Sequence, residues 1–383
     1  MKPSKHIVII AGEESGDIHA SHLAKDLWQS DPSLRISGIG GKHMQQTGVD
    51  LINDLASHGV TGLTEVFKHV WILRKAIQQI KHHLRTAKPD LLILVDYPGF
   101  NLRLAKYAKQ QLGLKVLYYI SPQIWAWKAN RINTIRKNVD HMAVILPFEK
   151  QIYQKAGVPV SFVGHPLSAL IVPKEPQASI RAHLQLPLDK TIIALLPGSR
   201  GHEIEQHMPV FMELASQLNE EKPHLHFVIA ISKTLSKSQL QSYIPKNLEN
   251  ISFIDGQAQS VIASSDCVIV SSGTASLECA LLARPMCIVY KGSWLSYMIT
   301  MQVIQVKYFG LCNLLWNRMV VPELLQYDCN KKELVKTTLD LLNPGSQLIA
   351  REKTGFRTLH AMLAADQVDI ALPQLVFKML QSN

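Results

Sequence analysis

The sequence predicts an α/β protein built from two doubly wound domains that face a cleft. Three observations predict it. Short β-branched runs alternate with helix-length stretches along the chain, which is the pattern of parallel sheets joined by crossover helices. Each half carries its own glycine-containing strand-to-helix turns. Between the halves lies a proline-bearing stretch, residues 166–187 with Pro173 and Pro176, which reads as a linker and a connecting helix. With 383 residues, 47% hydrophobic and 18% charged, the chain can bury two cores and lacks the composition of a disordered protein.

The first half is expected to place strands at residues 6–11, 90–95, 115–120, 143–146 and 160–163. The second half repeats the pattern at residues 191–196, 226–230, 267–270 and 286–290. The expected domains are residues 1–170 and 171–346. The closing segment is helical in pattern, with Pro373 breaking it late. Residues from about 347 to 383 are expected to pack back on the first domain. In such folds ligands bind at the carboxyl ends of the strands, so the chemistry is sought in the turns there.

Charge narrows the choice of ligand. Basic side chains exceed acidic ones by 40 to 30, and residues 1–170 hold 21 of the basic and 12 of the acidic ones. Nearly all the excess therefore sits in the first half, which should meet something anionic: nucleic acid, a lipid surface or a phosphorylated substrate. No apolar run reaches the roughly 18–20 residues of a membrane span. Lys2 and Lys5 before Ile7–Ile10 imitate a signal peptide, but the apolar run is short and Glu13-Glu14 closes it. That reads as the first strand of a mature cytoplasmic protein. Five cysteines without C-x-x-C, and sixteen histidines without H-E-x-x-H, argue against disulfides and against a bound metal.

Five segments carry candidate chemistry. Gly12-Glu13-Glu14-Ser15-Gly16-Asp17 joins the first strand to a helix. It is neither a dinucleotide fingerprint nor a Walker loop. Glu13 and Glu14 would repel a bare phosphate, so a polyhydroxylated ligand suits it better; a plain glycine turn with a helix cap is the structural alternative. Asp96 follows five apolar residues, at the mouth of the sheet. A partly desolvated carboxylate there can act as a general base, or simply form a turn. Trp125 and Trp127 flank Ala126 in a turn after another strand; they offer faces for a sugar or an acyl chain, or plug the sheet. Gly198-Ser199-Arg200 lets backbone N–H groups approach a pyrophosphate, with Arg200 as a fork. Gly273-Thr274 opens a helix that carries Glu278 one turn on, where a carboxylate can accept two ribose hydroxyls. Two phosphate-friendly turns beside one carboxylate suggest a nucleoside diphosphate.

One helix stands apart. Leu63, Val66, Val70, Leu73, Ile77, Ile80 and Leu84 form a seam spaced by threes and fours. Phe67 and Trp71 point off that seam, flanked by Lys68, Arg74 and Lys75. This reads either as a membrane-surface contact or as an ordinary core helix with solvated lysines.

Taken together, the motifs resemble the lipid-A-disaccharide synthase family, glycosyltransferases of bacterial outer-membrane lipid synthesis. The matching stretches are Ala11–Asp17, Val95-Asp96-Tyr97-Pro98, Ser121-Pro122 with Trp125-Ala126-Trp127, Leu146-Pro147-Phe148-Glu149, Val163-Gly164-His165, Leu196–Gly201, Ser272-Gly273-Thr274-Ala275 with Leu277-Glu278, and Asn313-Leu314-Leu315, in family order. The resemblance implies a GT-B type fold. It implies an inverting, metal-independent transfer from UDP-2,3-diacylglucosamine to 2,3-diacylglucosamine 1-phosphate (lipid X), giving the disaccharide 1-phosphate and UDP without a cofactor. It makes Asp96 the base on the acceptor 6-hydroxyl. Gly198, Ser199 and Arg200 would hold the diphosphate; Gly273, Thr274, Glu278 and Asn313 would complete the UDP site. Gly12, Glu13, Ser15, Gly16, Asp17, Trp125 and Trp127 would form the acceptor loops. The family includes dimers with exchanged C-terminal segments, and its lipid substrates imply a peripheral protein on the cytoplasmic face of the inner membrane. One departure stands out: Gly99 occupies a position where the family usually has a second aspartate. Another UDP-sugar enzyme on the same architecture, an epimerase or a transferase to a different lipid, is the alternative. Nucleic-acid binding is disfavoured, since no helix-turn-helix, RRM or zinc-finger pattern occurs.

Overall fold

The computed structural model describes residues 4–56, 63–126, 128–167, 175–232, 235–292, 307–364 and 367–381; within the helix Leu63–Ala87, side chains are described from residue 71 onward. Trp127 and the side chains of Phe67 and Lys68 lie outside the described residues.

The chain forms two compact units, Met1–Pro166 with Ala364–Asn383, and Leu167–Leu363. The first holds a seven-stranded parallel sheet of β1 (His6–Ala11), β2 (Arg35–Gly40), β3 (Asp50–Asp54), β4 (Leu91–Val95), β5 (Val116–Tyr119), β6 (His141–Val144) and β7 (Val160–Phe162). Its order is β3-β2-β1-β4-β5-β6-β7. The second holds β8 (Thr191–Leu196), β9 (Leu225–Ile231), β10 (Ile251–Asp255), β11 (Cys267–Ser271), β12 (Met286–Tyr290) and β13 (Glu323–Leu325), ordered β10-β9-β8-β11-β12-β13. Both are doubly wound, with the direction of winding reversing beside β1 and beside β8. Such reversals open a crevice at the carboxyl ends of the flanking strands. Ala11 pairs with Val95, and Leu196 with Val270. The loops after these strand pairs therefore leave each sheet at one level.

The central strands form because their residues are apolar on both faces. All of β1 and β4 is buried, as a sheet covered by helices requires. Four strands are absent from the expected set: β2, β3, β10 and β13. Arg35-Ile-Ser-Gly-Ile-Gly40 has two glycines, the mark of a turn. Here Gly38 is needed for close approach, since a Cβ would lie 1.8 Å from the Ile9 carbonyl oxygen. The other three are edge strands, short or carrying aspartates, and only partly buried.

A repeated device ties individual strands to the rest of the fold. Asp90 accepts the His6 N–H at 2.8 Å and Lys5 Nζ at 2.7 Å. Asp140 does the same with Val116 N–H and Lys109, Asp369 with Phe162 N–H and Lys150, and Asp266 with Ile192 N–H and Arg181. Each carboxylate satisfies one backbone donor of a strand: the first residue of β1 and of β5, the second of β8 and the last of β7.

The C-terminal segment divides differently from expectation. Helix Gln347–Met362 belongs to the second unit: Arg351 Nε donates to the Val320 carbonyl at 2.8 Å, and the Phe356 ring lies 6.2 Å from Trp316. Only residues from Ala364 on join the first unit. Pro373 starts the final helix, Leu372–Gln381, rather than breaking one, because a helix's first turn needs no N–H there. That helix buries Leu375, Val376 and Met379 in the core with Ile7, Ile9 and Ile93.

Candidate active site

In the first unit, the reversal of winding brings the turn after β1 and the turn after β4 together. Asp96 and Tyr97 both adopt the left-handed region, with φ of 45° and 46°. Two consecutive non-glycine residues there are strained, and the surroundings hold them. The Asp96 carbonyl accepts Asn101 Nδ2 at 2.7 Å and the Tyr118 hydroxyl at 2.6 Å, while its N–H donates to the Tyr119 carbonyl. The Tyr97 ring lies across Gly12, where a Cβ would meet ring carbon at 2.2 Å. Gly12 is thus glycine because an aromatic ring occupies the space of a side chain. Neither Asn101 nor Tyr118 stood out in the sequence, where nothing distinguishes a clamp from a neighbour.

The resulting carboxylate is unusual. Burial, and then the charge of Glu13, push Asp96 up to about 6. Glu13 is exposed and makes no capping bond to its helix, Glu14–Ser30, so its carboxylate is not spent as a cap. Ser15 is exposed in the first turn, and Gly16 is buried where the helix approaches Ala11 and Val95. Asp17 departs from expectation. It is 2% exposed and accepts the N–H groups of Gly41, His43 and Met44 at 2.7–3.1 Å. Its carboxylate caps helix Lys42–Thr47 instead of meeting a ligand, a use that spacing alone cannot reveal.

Gly99 is exposed in the first turn of helix Pro98–Leu112, and a Cβ there would meet nothing within 4 Å. Glycine is not demanded by the fold at this position, and the site carries a single carboxylate in that loop. Trp125 is half-buried. Its indole N–H donates to Glu149 at 3.0 Å, and its ring meets Phe148 edge-on at 5.2 Å.

In the second unit, the turn after β8 holds Gly198 at φ 125°, and a Cβ there would collide with Glu203. The Glu203 carboxylate accepts the N–H groups of Ser199 at 2.7 Å and Arg200 at 3.2 Å, forming a capping box at helix Gly201–Glu221. The expectation that this turn offers those N–H groups to a diphosphate is therefore corrected: an internal anion engages them. The Arg200 guanidinium, on a side chain 71% exposed, lies 3.3 Å from Glu203. After β11, Gly273 and Thr274 are exposed at the head of helix Thr274–Leu281. Glu278 accepts Gln259 Nε2 at 3.1 Å, and burial raises its carboxyl above the ordinary range. Asn313 is also corrected. Fully buried, it donates to Val321 O and Glu323 and accepts Val320 N and Val321 N. Every hydrogen bond it can make is internal, so it shapes the fold behind the site.

On helix Leu63–Ala87, Ala76, Ile80 and Leu84 are buried, whereas Trp71 is 71% exposed with Arg74 and Lys75 exposed beside it. No helix among the described residues is long and apolar enough to cross a membrane, and no cluster of three metal-ligating side chains occurs among them.

Comparison with known proteins places this arrangement. The lipid-A-disaccharide synthetase family model matches residues 7–371. Lipid-A-disaccharide synthase 1 of Legionella pneumophila (strain Paris) is 57% identical over 334 residues, 87% of each chain. Among solved structures, the kitacinnamycin glycotransferase superposes with a TM-score of 0.61 at 12% identity, covering 99% of this chain and all of that one. The UDP-GlcNAc 2-epimerase of Neisseria meningitidis, bound to UDP-GlcNAc, gives 0.62 at 11% identity, covering 94% of this chain and 99% of that one. These two likenesses establish the shared two-domain fold, of GT-B type. Sequence identity and the family model establish more: the chain belongs to the lipid-A-disaccharide synthase family of glycosyltransferases.

Proposed function

We propose that the chain joins UDP-2,3-diacylglucosamine to 2,3-diacylglucosamine 1-phosphate, releasing UDP and the β-1,6-linked disaccharide 1-phosphate. The observation that carries this reading is the carboxylate at the end of β4, on a backbone clamped by Asn101 and Tyr118 and raised to a pKa of about 6 by burial and the Glu13 charge. At neutral pH it is largely ionised and still basic enough to take a proton. Asp96 accepts the proton of the acceptor 6-hydroxyl as that oxygen attacks the donor's anomeric carbon. The bond to UDP breaks on the opposite face, with inversion. The Arg200 guanidinium and the helix head at Gly273–Thr274 stabilise the charge that develops on the diphosphate. Glu278 is placed to accept ribose hydroxyls. Glu13, Ser15 and Trp125 surround the acceptor sugar, while Gly12 and Gly16 let the Tyr97 ring and the first helix pack against that loop, and Trp127 lies outside the described residues.

This chemistry needs no metal, because the Arg200 guanidinium and a helix N-terminus supply the compensating charge. A UDP-release assay with both acylated substrates and EDTA should show undiminished turnover. Release that requires a divalent cation, or that proceeds equally with UDP-GlcNAc lacking acyl chains, would refute the assignment.

Both substrates are amphiphilic, so the enzyme must work at a lipid surface, here the cytoplasmic face of the inner membrane. Trp71, Arg74 and Lys75 supply an aromatic and basic contact; Phe67 and Lys68, expected to extend it, have side chains outside the described residues. Trp71→Glu should reduce co-sedimentation with anionic vesicles while the circular dichroism spectrum stays unchanged. Equal co-sedimentation would remove this helix as the contact. Residues 367–381 pack on the chain's own first unit; a dimer with exchanged segments would supply the same contacts from a partner.

A further inference from the structure

The end of the first sheet holds a second carboxyl to which the proposed transfer gives no part. Glu149, in the first turn of helix Pro147–Lys155, is 2% exposed. Its Oε1 accepts the Trp125 indole N–H at 3.0 Å, its Oε2 is buried, and only neutral donors, from Trp125, Ser121 and Leu146, favour its ionised form. Among the described residues it forms no ion pair. The titratable groups that face it are Asp96, itself acidic, and Tyr153, whose hydroxyl bonds Ser121 Oγ at 2.8 Å. Among the described residues no cationic group compensates it.

A carboxyl in such surroundings sheds its charge, because an unpaired ion costs far more to bury than a neutral acid. Burial, with the Asp96 charge adding to it, pushes Glu149 up to about 8. At neutral pH it is a neutral acid bonded to the Trp125 indole N–H. The loop above it, residues 121–126, is the one that the proposed function assigns to the acceptor.

We propose that Glu149 is a positioning residue: buried beneath Trp125 and bonded to its indole N–H, it fixes the 121–126 loop in the shape that receives the acceptor sugar. This rests on the reading of the first unit as acceptor-binding. Ionising Glu149 places a second negative charge near that of Asp96, in a buried site without a compensating cation among the described residues. The carboxylate must then find water, which loosens Trp125, and it repels the acceptor's phosphate. The affinity for acceptor should therefore fall on the alkaline side, whereas the affinity for UDP-sugar should not.

The test uses the full chain with Glu149→Gln and Glu149→Ala. Glutamine keeps an acceptor oxygen for Trp125 and cannot ionise. Glu149→Gln is expected to keep the wild-type acceptor KM near neutrality and to lose the rise in acceptor KM that the wild type shows through a pH of about 8. Glu149→Ala is expected to raise acceptor KM by roughly 2- to 12-fold at every pH, the scale of losing one hydrogen bond, with donor KM unchanged. A second readout needs no substrate. Trp125 emission, taken as the difference between each protein and its Trp125→Phe counterpart, should titrate near 8 in the wild type and stay flat in Glu149→Gln. An alkaline rise that persists in Glu149→Gln, an unaltered acceptor KM in Glu149→Ala, or Trp125 emission insensitive to pH would overturn the proposal. If the emission titrates as expected but no acylated acceptor is used at all, the proposed function fails while the Glu149–Trp125 coupling stands.

Discussion

Asp96→Asn is expected to lower turnover by about 10²–10⁴-fold, the usual contribution of a general base, while UDP binding stays as in the wild type. The substitution is well suited to its site. The clamp from Asn101 and Tyr118 grips the Asp96 backbone carbonyl, not its side chain. Asparagine also tolerates the left-handed conformation better than most residues. Geometry is thus preserved and only the basic group is lost. The pH dependence gives an independent check. The base must be ionised, so kcat/KM should fall as pH drops through about 6. Glu13 contributes to that raised value through its charge, so Glu13→Gln should shift the acid limb to lower pH. Stability should move the other way. A carboxyl whose folded pKa is raised destabilises the fold when ionised, so the wild type should gain stability relative to Asp96→Asn as pH falls through about 6. Appreciable turnover by Asp96→Asn, or an acid limb that Glu13→Gln leaves in place, would assign the base elsewhere.

Arg200→Ala is expected to weaken UDP binding by about 1.5–3 kcal/mol, roughly 10- to 160-fold, as for loss of one charge-assisted hydrogen-bonding group. The expectation is large because of what the turn does with its other donors. Glu203 engages the N–H groups of Ser199 and Arg200, which leaves the exposed guanidinium as the turn's principal means of meeting a diphosphate. Arg200→Lys should recover only part of the affinity, since an ammonium cannot form the paired contact of a guanidinium. Calorimetric titration with UDP decides the matter: equal affinity in wild type and Arg200→Ala would take the diphosphate away from this turn.

The chemistry-bearing turns were readable because they obey local rules. A run of apolar residues on both faces makes a buried parallel strand, and a glycine or aspartate at its end marks where the sheet opens. That logic found β1, β4, β8 and β11 and put Asp96, Gly198 and Gly273 at their carboxyl ends. It failed for β2, whose Gly38 looks like a turn residue until the Ile9 carbonyl is seen pressing against it. It failed also for the edge strands, which lack two-sided burial and so carry no apolar run.

The sequence by itself determined the two-domain α/β architecture, the family and the order of the turns, since each is written in short-range pattern. Only tertiary structure decided how individual polar side chains are spent. Asp17 and Asn313 sit in family motifs and look like ligand-binding residues, yet backbone donors from segments remote or several residues away use them up. Glu149 and Asp96 are both single carboxyls after apolar runs, yet one is sealed under an indole and the other stands at the sheet's mouth. The physical reason is common to all four. A buried polar group is governed by which partners reach it and by how much water is excluded, and both are set by chain segments far apart in sequence.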